Sequence, residues 1–192
     1  MNNFGRSNLF IIHLIAMKPS FRFGLIAAGI TLAIYLLLYF LNKQIMVGPI
    51  PHWLTLAVVV LGMYWAVRTE RIEIRQTYPF KKALQTAFLV FLITTLSFHA
   101  FYYLFFAVID PELIDLQIAE NMKWTKWLGQ TSIGLDPEDP AYKEFENMDH
   151  KLTIGNTFFS LSRSIIGGFL IALPIAGIFK RDFSLDSKVG KS

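Results

Sequence analysis

The chain has 192 residues, 54% of them hydrophobic and 17% charged, with a mean hydropathy of +0.45. Average soluble domains carry about 25% charged residues, so a soluble globular fold is excluded and long apolar runs point to membrane spans. The net charge of +4 does not imply nucleic acid, because the charges are segregated and no interleaved basic–aromatic patch occurs; the absence of cysteine excludes disulfides, thiolate metal sites and thiol nucleophiles.

Met1 to Met17 hold Arg6 and a short apolar run from Leu9, ahead of Lys18. The run is too short to cross a bilayer and no small-residue cleavage site follows it. It reads as a frayed or interfacial extension, with Met17-Lys18-Pro19 as an alternative start. Span one is Phe23 to Leu41, flanked by Arg22 and by Asn42-Lys43. Gly24, Ala28, Thr31, Tyr35 and Tyr39 recur at three- and four-residue steps, so small and polar groups share one face. In a membrane such a face packs against another helix.

Gly48-Pro49-Ile50-Pro51 reads as a turn, and span two runs from His52 to Val67. That is short for a crossing: the bilayer thins locally, or Trp53 and Trp65 extend the interfacial reach. A re-entrant hairpin is the alternative and needs shielded backbone. Arg68, Arg71, Arg75, Lys81 and Lys82 crowd the next connection against Glu70 and Glu73. Span three, Ala83 to Ile109, reaches roughly 40 Å at 1.5 Å per residue, so it must tilt or project.

Asp110-Pro111 opens a further helix, the aspartate as cap and the proline at the first helical position. From Pro111 to Leu128 a broad apolar face carries Leu113, Ile114, Leu116, Trp124, Trp127 and Leu128, interrupted by Gln117 and Glu120. Gly129 is placed to end it. The pattern predicts an interfacial helix with its tryptophans at headgroup level. Asp136-Pro137-Glu138-Asp139-Pro140 reads as a turn, and Ala141 to His150 as one more short helix. Span four runs from Thr157 to Phe179 and is closed by Lys180-Arg181. Ser160, Ser164, Gly168, Ala172 and Ala176 form a stripe of small residues at four-residue steps, which predicts close helix packing; Pro174 is placed to bend the span.

Positive charge in short loops marks the cytoplasmic side. The N-terminal segment, the connection between spans two and three, and the tail with Lys180, Arg181, Lys188 and Lys191 are basic. The segment from 110 to 156 holds ten acids against four lysines. Both termini are therefore expected in the cytoplasm and the acidic loop outside.

Arg163 is the most provocative residue, since an arginine at the bilayer centre costs about 2.5–3.5 kcal/mol on insertion scales. It lies 17 residues before Lys180, roughly 25 Å along a helix, which puts it about 5 Å below the outer boundary of a 30 Å core. A long side chain snorkels that far, so an interfacial arginine is the plainer reading. The same ruler puts His99, Tyr39 and His52 at a similar depth, one per span, and Asn156 and Ser160 share the helix face of Arg163. If these groups converge they form a polar vestibule beneath the acidic loop, suited to an anionic headgroup, a peptide or a small solute; the plain alternative is that such groups collect at every interface. Taken alone, His99 reads as a packing residue. No carboxylate falls inside the four spans as bounded here, which disfavours an ion-coupled transporter. Asp136, Glu138 and Asp139 read as a solvated turn rather than a Ca²⁺ or Mg²⁺ site. No P-loop, metalloprotease, nucleophile-elbow or dinucleotide motif occurs, and no His–acid pair activates Ser160, Ser162 or Ser164.

At Phe80-Lys81-Lys82-Ala83 and at Ile109-Asp110-Pro111-Glu112, preceded by Phe101-Tyr102-Tyr103, the chain resembles the four-helix bacterial membrane proteins catalogued as domain of unknown function 4199, found mainly in Bacteroidota. The resemblance covers roughly residues 17 to 181. It implies a four-helix fold and an inner-membrane location, and no established activity.

The expected fold class is thus all-α: a polytopic membrane protein with four transmembrane helices and an extracytoplasmic, partly helical acidic loop. An N-terminal extension (1–17) precedes the transmembrane domain (18–181), and a cytoplasmic tail (182–192) follows. The first functional reading is a non-enzymatic interaction or scaffold component of the inner membrane. The second is a small-solute or lipid transport or binding component, with Arg163, His99, Tyr39, His52, Asn156 and Ser160 as its site. Ser164, Gly168, Ala172 and Ala176 are assigned to helix packing. No cofactor or metal is expected; the partners are membrane lipids and either a protein partner or a second copy of the chain, and not nucleic acid.

Overall fold

The computed structural model describes residues 17–74, 78–133, 140, 142 and 153–179. Among them the chain is almost wholly helical and holds no strand. The first sixteen residues, positions 136–139 of the expected acidic turn, most of the helix expected over 141–150, and the tail lie outside the described residues.

Helix α1 is Pro19–Leu41, opened by proline at its first position. Of its expected small-polar face Gly24, Ala28, Thr31 and Tyr35 are buried, with Ala27 beside them, while Tyr39 is only partly buried. Asn42 then turns extended, with φ −162°, and its side-chain oxygen accepts the backbone N–H groups of Gln44 and Ile45 at 2.8 and 3.2 Å. That cap starts a short helix, α2 (Lys43–Val47), which the hydropathy pattern does not announce.

Helix α3 runs Pro49–Ile74, so the expected turn is confined to Gly48. Pro49 and Pro51 instead occupy the first helical turn, where no backbone N–H is needed. At 26 residues α3 reaches roughly 39 Å, and neither local bilayer thinning nor a re-entrant hairpin is required. The longer helix carries Glu70 and Glu73, so the statement that spans lack carboxylates holds only for the narrower bounds.

Helix α4 is Phe80–Leu104 and continues as a π-helical turn, Phe105–Ile109. Helix α5 is Glu112–Leu128. Gly129 does not end it: its backbone stays right-handed and a second π-helical turn, Gly129–Ile133, follows. Helix α6 is Ile154–Phe179, with Pro174 inside it. Four helical stretches, Pro19–Leu41, Pro49–Ile74, Phe80–Ile109 and Ile154–Phe179, are long and apolar enough to cross a membrane, with mean hydropathies of 1.6 to 2.2.

Helix α4 is the centre of the bundle, in contact with α1, α3 and α6. Helix α3 also packs on both α1 and α6. Close approach rests on small residues: a Cβ built on Gly24 would come 3.0 Å from Ile93, and one on Gly168 would clash with the Phe91 ring. Thr94 donates its hydroxyl to the Val90 carbonyl at 2.9 Å and to the Gly24 carbonyl at 3.2 Å, joining α4 to α1.

Two apolar cores result. One, at the end where α3 turns into α4 (the turn end), gathers Met63, Val67, Tyr78, Ala87, Phe91, Ala172, Ala176 and Phe179 among others. The other, at the opposite end, gathers Tyr35, Met46, Val47, Phe105, Phe106 and Leu113. Helix α5 docks there through Leu113 with Ile114 and Leu116, which makes this the cap end. Trp124, Trp127 and Leu128, expected on the same face, stay exposed.

Candidate functional site

Between the two cores lies a half-open cavity of about 710 Å³, within the roughly 300–1,000 Å³ typical of small-molecule sites. Its walls follow from the packing described above. Helices α3 and α6 touch at the turn end, where the Phe179 ring sits 5.0 Å from Tyr64 and beneath the Arg71 guanidinium at 6.0 Å. Towards the cap end the two helices line opposite sides of the cavity instead, α3 with His52, Thr55, Leu56 and Val59, and α6 with Asn156, Thr157, Ser160, Arg163 and Ser164. The back wall is α4, from Phe91 at the floor through Thr94, Thr95 and His99 to Tyr102. The roof is α5, through Ile114, Gln117, Ile118 and Asn121. That spacing of three, four and seven residues is one helix face.

Five of the six residues singled out from the sequence line this one cavity: Arg163, His99, His52, Asn156 and Ser160. Tyr39 does not. It stands one turn above Tyr35 on α1, and its hydroxyl donates to Asp110 Oδ2 at 3.1 Å. The small-residue stripe on α6 also divides. Gly168, Ala172 and Ala176 are buried against the core, as expected of packing residues. Ser160 and Ser164 belong to the cavity wall, so the packing assignment of Ser164 is corrected: its side chain borders open space.

The polar groups have defined states. Nδ1 of His99 lies 2.9 Å from the Thr95 carbonyl and Nδ1 of His52 lies 3.3 Å from the Gly48 carbonyl. Only an N–H can make those bonds, so Nδ1 is the donor in each ring and Nε2 is the nitrogen left for a cavity occupant. The Arg163 guanidinium sits 5.2 Å over the Phe159 ring, a cation–π contact, and meets no carboxylate among the described residues. None of the described lining residues is acidic. Tyr102 donates its hydroxyl to Gln117, tying wall to roof. Thr31, from α1, reaches the cavity with a buried hydroxyl that has no partner among the described residues.

The sequence reading does not single out Thr94, Thr95, Gln117 or Asn121 for the site. Membrane threonines satisfy their hydroxyls on the preceding turn, as Thr94 does, and so leave no trace in the sequence. Gln117 does leave one, as the interruption of an otherwise apolar face.

The roof is fastened at its start by a second polar cluster. Lys43 Nζ lies 2.5 Å from Asp110 Oδ2, the same oxygen that accepts the Tyr39 hydroxyl. The Lys43 bond holds the Asp110 carboxyl below the usual carboxylate range, against a smaller upward push from burial; the Tyr39 hydroxyl and the Glu112 backbone N–H add to the lowering. Asp110 in turn raises Lys43. The expected aspartate cap is corrected: Pro111 takes the cap position of α5 with no side-chain capping bond, and Asp110 instead ties α1 and α2 to the start of α5 through Tyr39 and Lys43. At the turn end, Glu70 accepts hydrogen bonds from Tyr78, at 3.0 Å, and from Thr86. Burial is the main cause that raises the Tyr78 phenol. A smaller cavity of about 410 Å³ lies beside Glu70, Glu73, Lys18 and Lys82. Among the described residues no three His, Cys, Asp or Glu side chains stand together as metal ligands.

No curated protein and no solved structure matches the chain. A family model described as Protein of unknown function (DUF4199) matches residues 22–181. The match runs from the start of α1 past the end of α6, through every span and the cap, and on that ground the chain belongs to the DUF4199 family.

Proposed function

We propose that this chain is a non-enzymatic component of the bacterial inner membrane that binds a lipid or small solute in the cavity under α5. The observation that carries the reading is the meeting of Arg163, His52 and His99, from three helices, in one cavity whose described lining has no acid. Arg163 has no carboxylate partner among the described residues, and an anionic ligand would supply one. A binding role rather than catalysis is supported by the histidines. Both commit Nδ1 to a backbone carbonyl, so neither is oriented by a carboxylate to activate Ser160 or Ser164.

The charge balance supports both termini in the cytoplasm and the cap outside. A reporter fused after Ser192 is expected to score as cytoplasmic, and a periplasmic score would invert the orientation. An interaction role, with a protein partner or a second copy of the chain, draws support from the exposed pair Trp124 and Trp127, whose rings lie 5.5 Å apart.

The binding reading is tested by mass spectrometry of what co-purifies with the full chain. The wild type is expected to retain a species that the double variant Arg163→Leu, His99→Ala loses while staying folded. Identical contents in both proteins would remove the cavity as a binding site and leave the interaction role.

A further inference from the structure

The cavity also restricts what its occupant can be, and this step rests on the binding reading above. Its roof is tied to α4 through Tyr102 and Gln117 and to α2 through Asp110 and Lys43. Its floor is closed by Phe91 and Val59, and the turn-end seam by Phe179. Among the described residues the remaining side is the gap between α3 and α6, where His52, Ser160 and Arg163 are exposed. The residues around that gap are apolar and outward: Trp53, Leu54, Phe159 and Ile166 are all exposed. An anion reaching Arg163 by this route passes along lipid-facing surface, which favours an anion attached to a hydrocarbon chain. Arg163 itself, snorkelling from about 5 Å below the boundary, stands at the level of lipid phosphates.

The rest of the lining discriminates among headgroups. An ammonium or choline group would lie near the Arg163 cation with no acid among the described lining residues to pair with it. With their rings neutral, His52 and His99 accept hydrogen bonds at Nε2, as do Gln117 and Asn121 at their amide oxygens, so hydroxyl groups suit them. We propose that the site holds an anionic phospholipid of the leaflet at the cap end. Its phosphate sits on Arg163, its hydroxylated headgroup lies against the two histidines, and its chains leave between α3 and α6.

The test uses the full chain in detergent micelles, supplied with phosphatidylglycerol or phosphatidylcholine and read by native mass spectrometry. Phosphatidylglycerol is expected to be retained about tenfold better: both lipids carry the phosphate, and the difference is the repulsion between Arg163 and the choline cation. Arg163→Gln should bring the two lipids to within about twofold, and Arg163→Lys should keep most of the preference. Lys123→Gln, the same charge change on the exposed face of α5, should leave it unaltered. Ser164→Trp, which fills the cavity from α6 without touching charge, should abolish retention and covers the case of an Arg163 variant that fails to fold. Equal retention of the two lipids by the wild type, or a preference that survives Arg163→Gln, overturns the proposal. Displacement of the lipid by millimolar inorganic phosphate also overturns it, while sparing the binding reading, because the site would then belong to a soluble anion. Failure to bind either phosphate or lipid removes both.

Discussion

The two ends of the small-residue stripe on α6 are built alike and used in opposite ways. At the turn end, α6 offers Gly168, Ala172 and Ala176, and the ring of Phe91 fills the space that a side chain on Gly168 would occupy. At the cap end the same stripe continues at the same four-residue step into Ser164 and Ser160, and there the neighbour is a cavity. Small residues therefore do not by themselves mean contact. They permit close approach where a bulky partner faces them, and they leave room where the partner helix diverges. Phe91 marks the change, since it belongs both to the turn-end core and to the cavity floor.

Substitutions on either side of Phe91 test this contrast. The largest effect is expected from Gly168→Leu. Its side chain must displace Phe91, and overpacking of this kind costs about 1–3 kcal/mol, here towards the upper limit. A thermal melt of the detergent-purified protein unchanged by Gly168→Leu would show that the turn-end seam is loose. Next comes Arg163→Leu with His99→Ala, which should cost about tenfold in retained anionic ligand with little change in melting temperature. A large loss of stability instead would place these residues in the core rather than at a site.

A smaller effect concerns the fastening of the roof. Asp110 is held below its ordinary range by Lys43, so its contribution is fully present above the unfolded carboxyl value and is lost as pH falls through the lower folded value. Lys43 is raised by Asp110, so its share is present below the unfolded lysine value and fades as pH rises through the higher folded one. The tie therefore stabilises across the whole neutral range. Lys43 is partly exposed and solvent screens the pair, which keeps the effect modest. The melting-temperature gap between wild type and Asp110→Asn should be widest near neutral pH and close under strongly acidic conditions; a gap independent of pH would assign the loss to packing. The smallest effect is expected from Ser164→Ala, within about 0.5 kcal/mol, because its side chain borders open space. A cost comparable to that of Gly168→Leu would erase the distinction between the two ends.

Much of this is legible in the sequence because depth in a membrane is counted in residues. A ruler laid from the basic flanks puts one polar residue per span at one level, and five of the six singled-out residues share a cavity. Depth says nothing of rotation about the helix axis, which is why the ruler groups Tyr39 with them although its hydroxyl reaches Asp110. Span two reads short because its prolines look like a turn; they are the opening turn of a 26-residue helix. The roof is half visible. Gln117 breaks the apolar pattern of α5, but only its bond to Tyr102 gives that break a use.

The π-helical turn at the end of α4 carries a consequence for insertions and deletions. Its defining bond runs from the Asp110 N–H back to the Phe105 carbonyl at 2.9 Å, five residues rather than four, so this turn holds about one residue more than the α-helix before it. Each residue of an α-helix advances the chain by about 100°. The wider turn absorbs one residue without that advance, so deleting a single residue between Phe105 and Ile109 would restore an ordinary helix and leave Asp110 facing Lys43 with Tyr102 still on the cavity wall. The turn is therefore a phase buffer: a one-residue deletion within it should be milder than one in the α-helical stretch between Phe91 and Tyr102, which would turn the cavity wall and the roof fastener about 100° relative to each other.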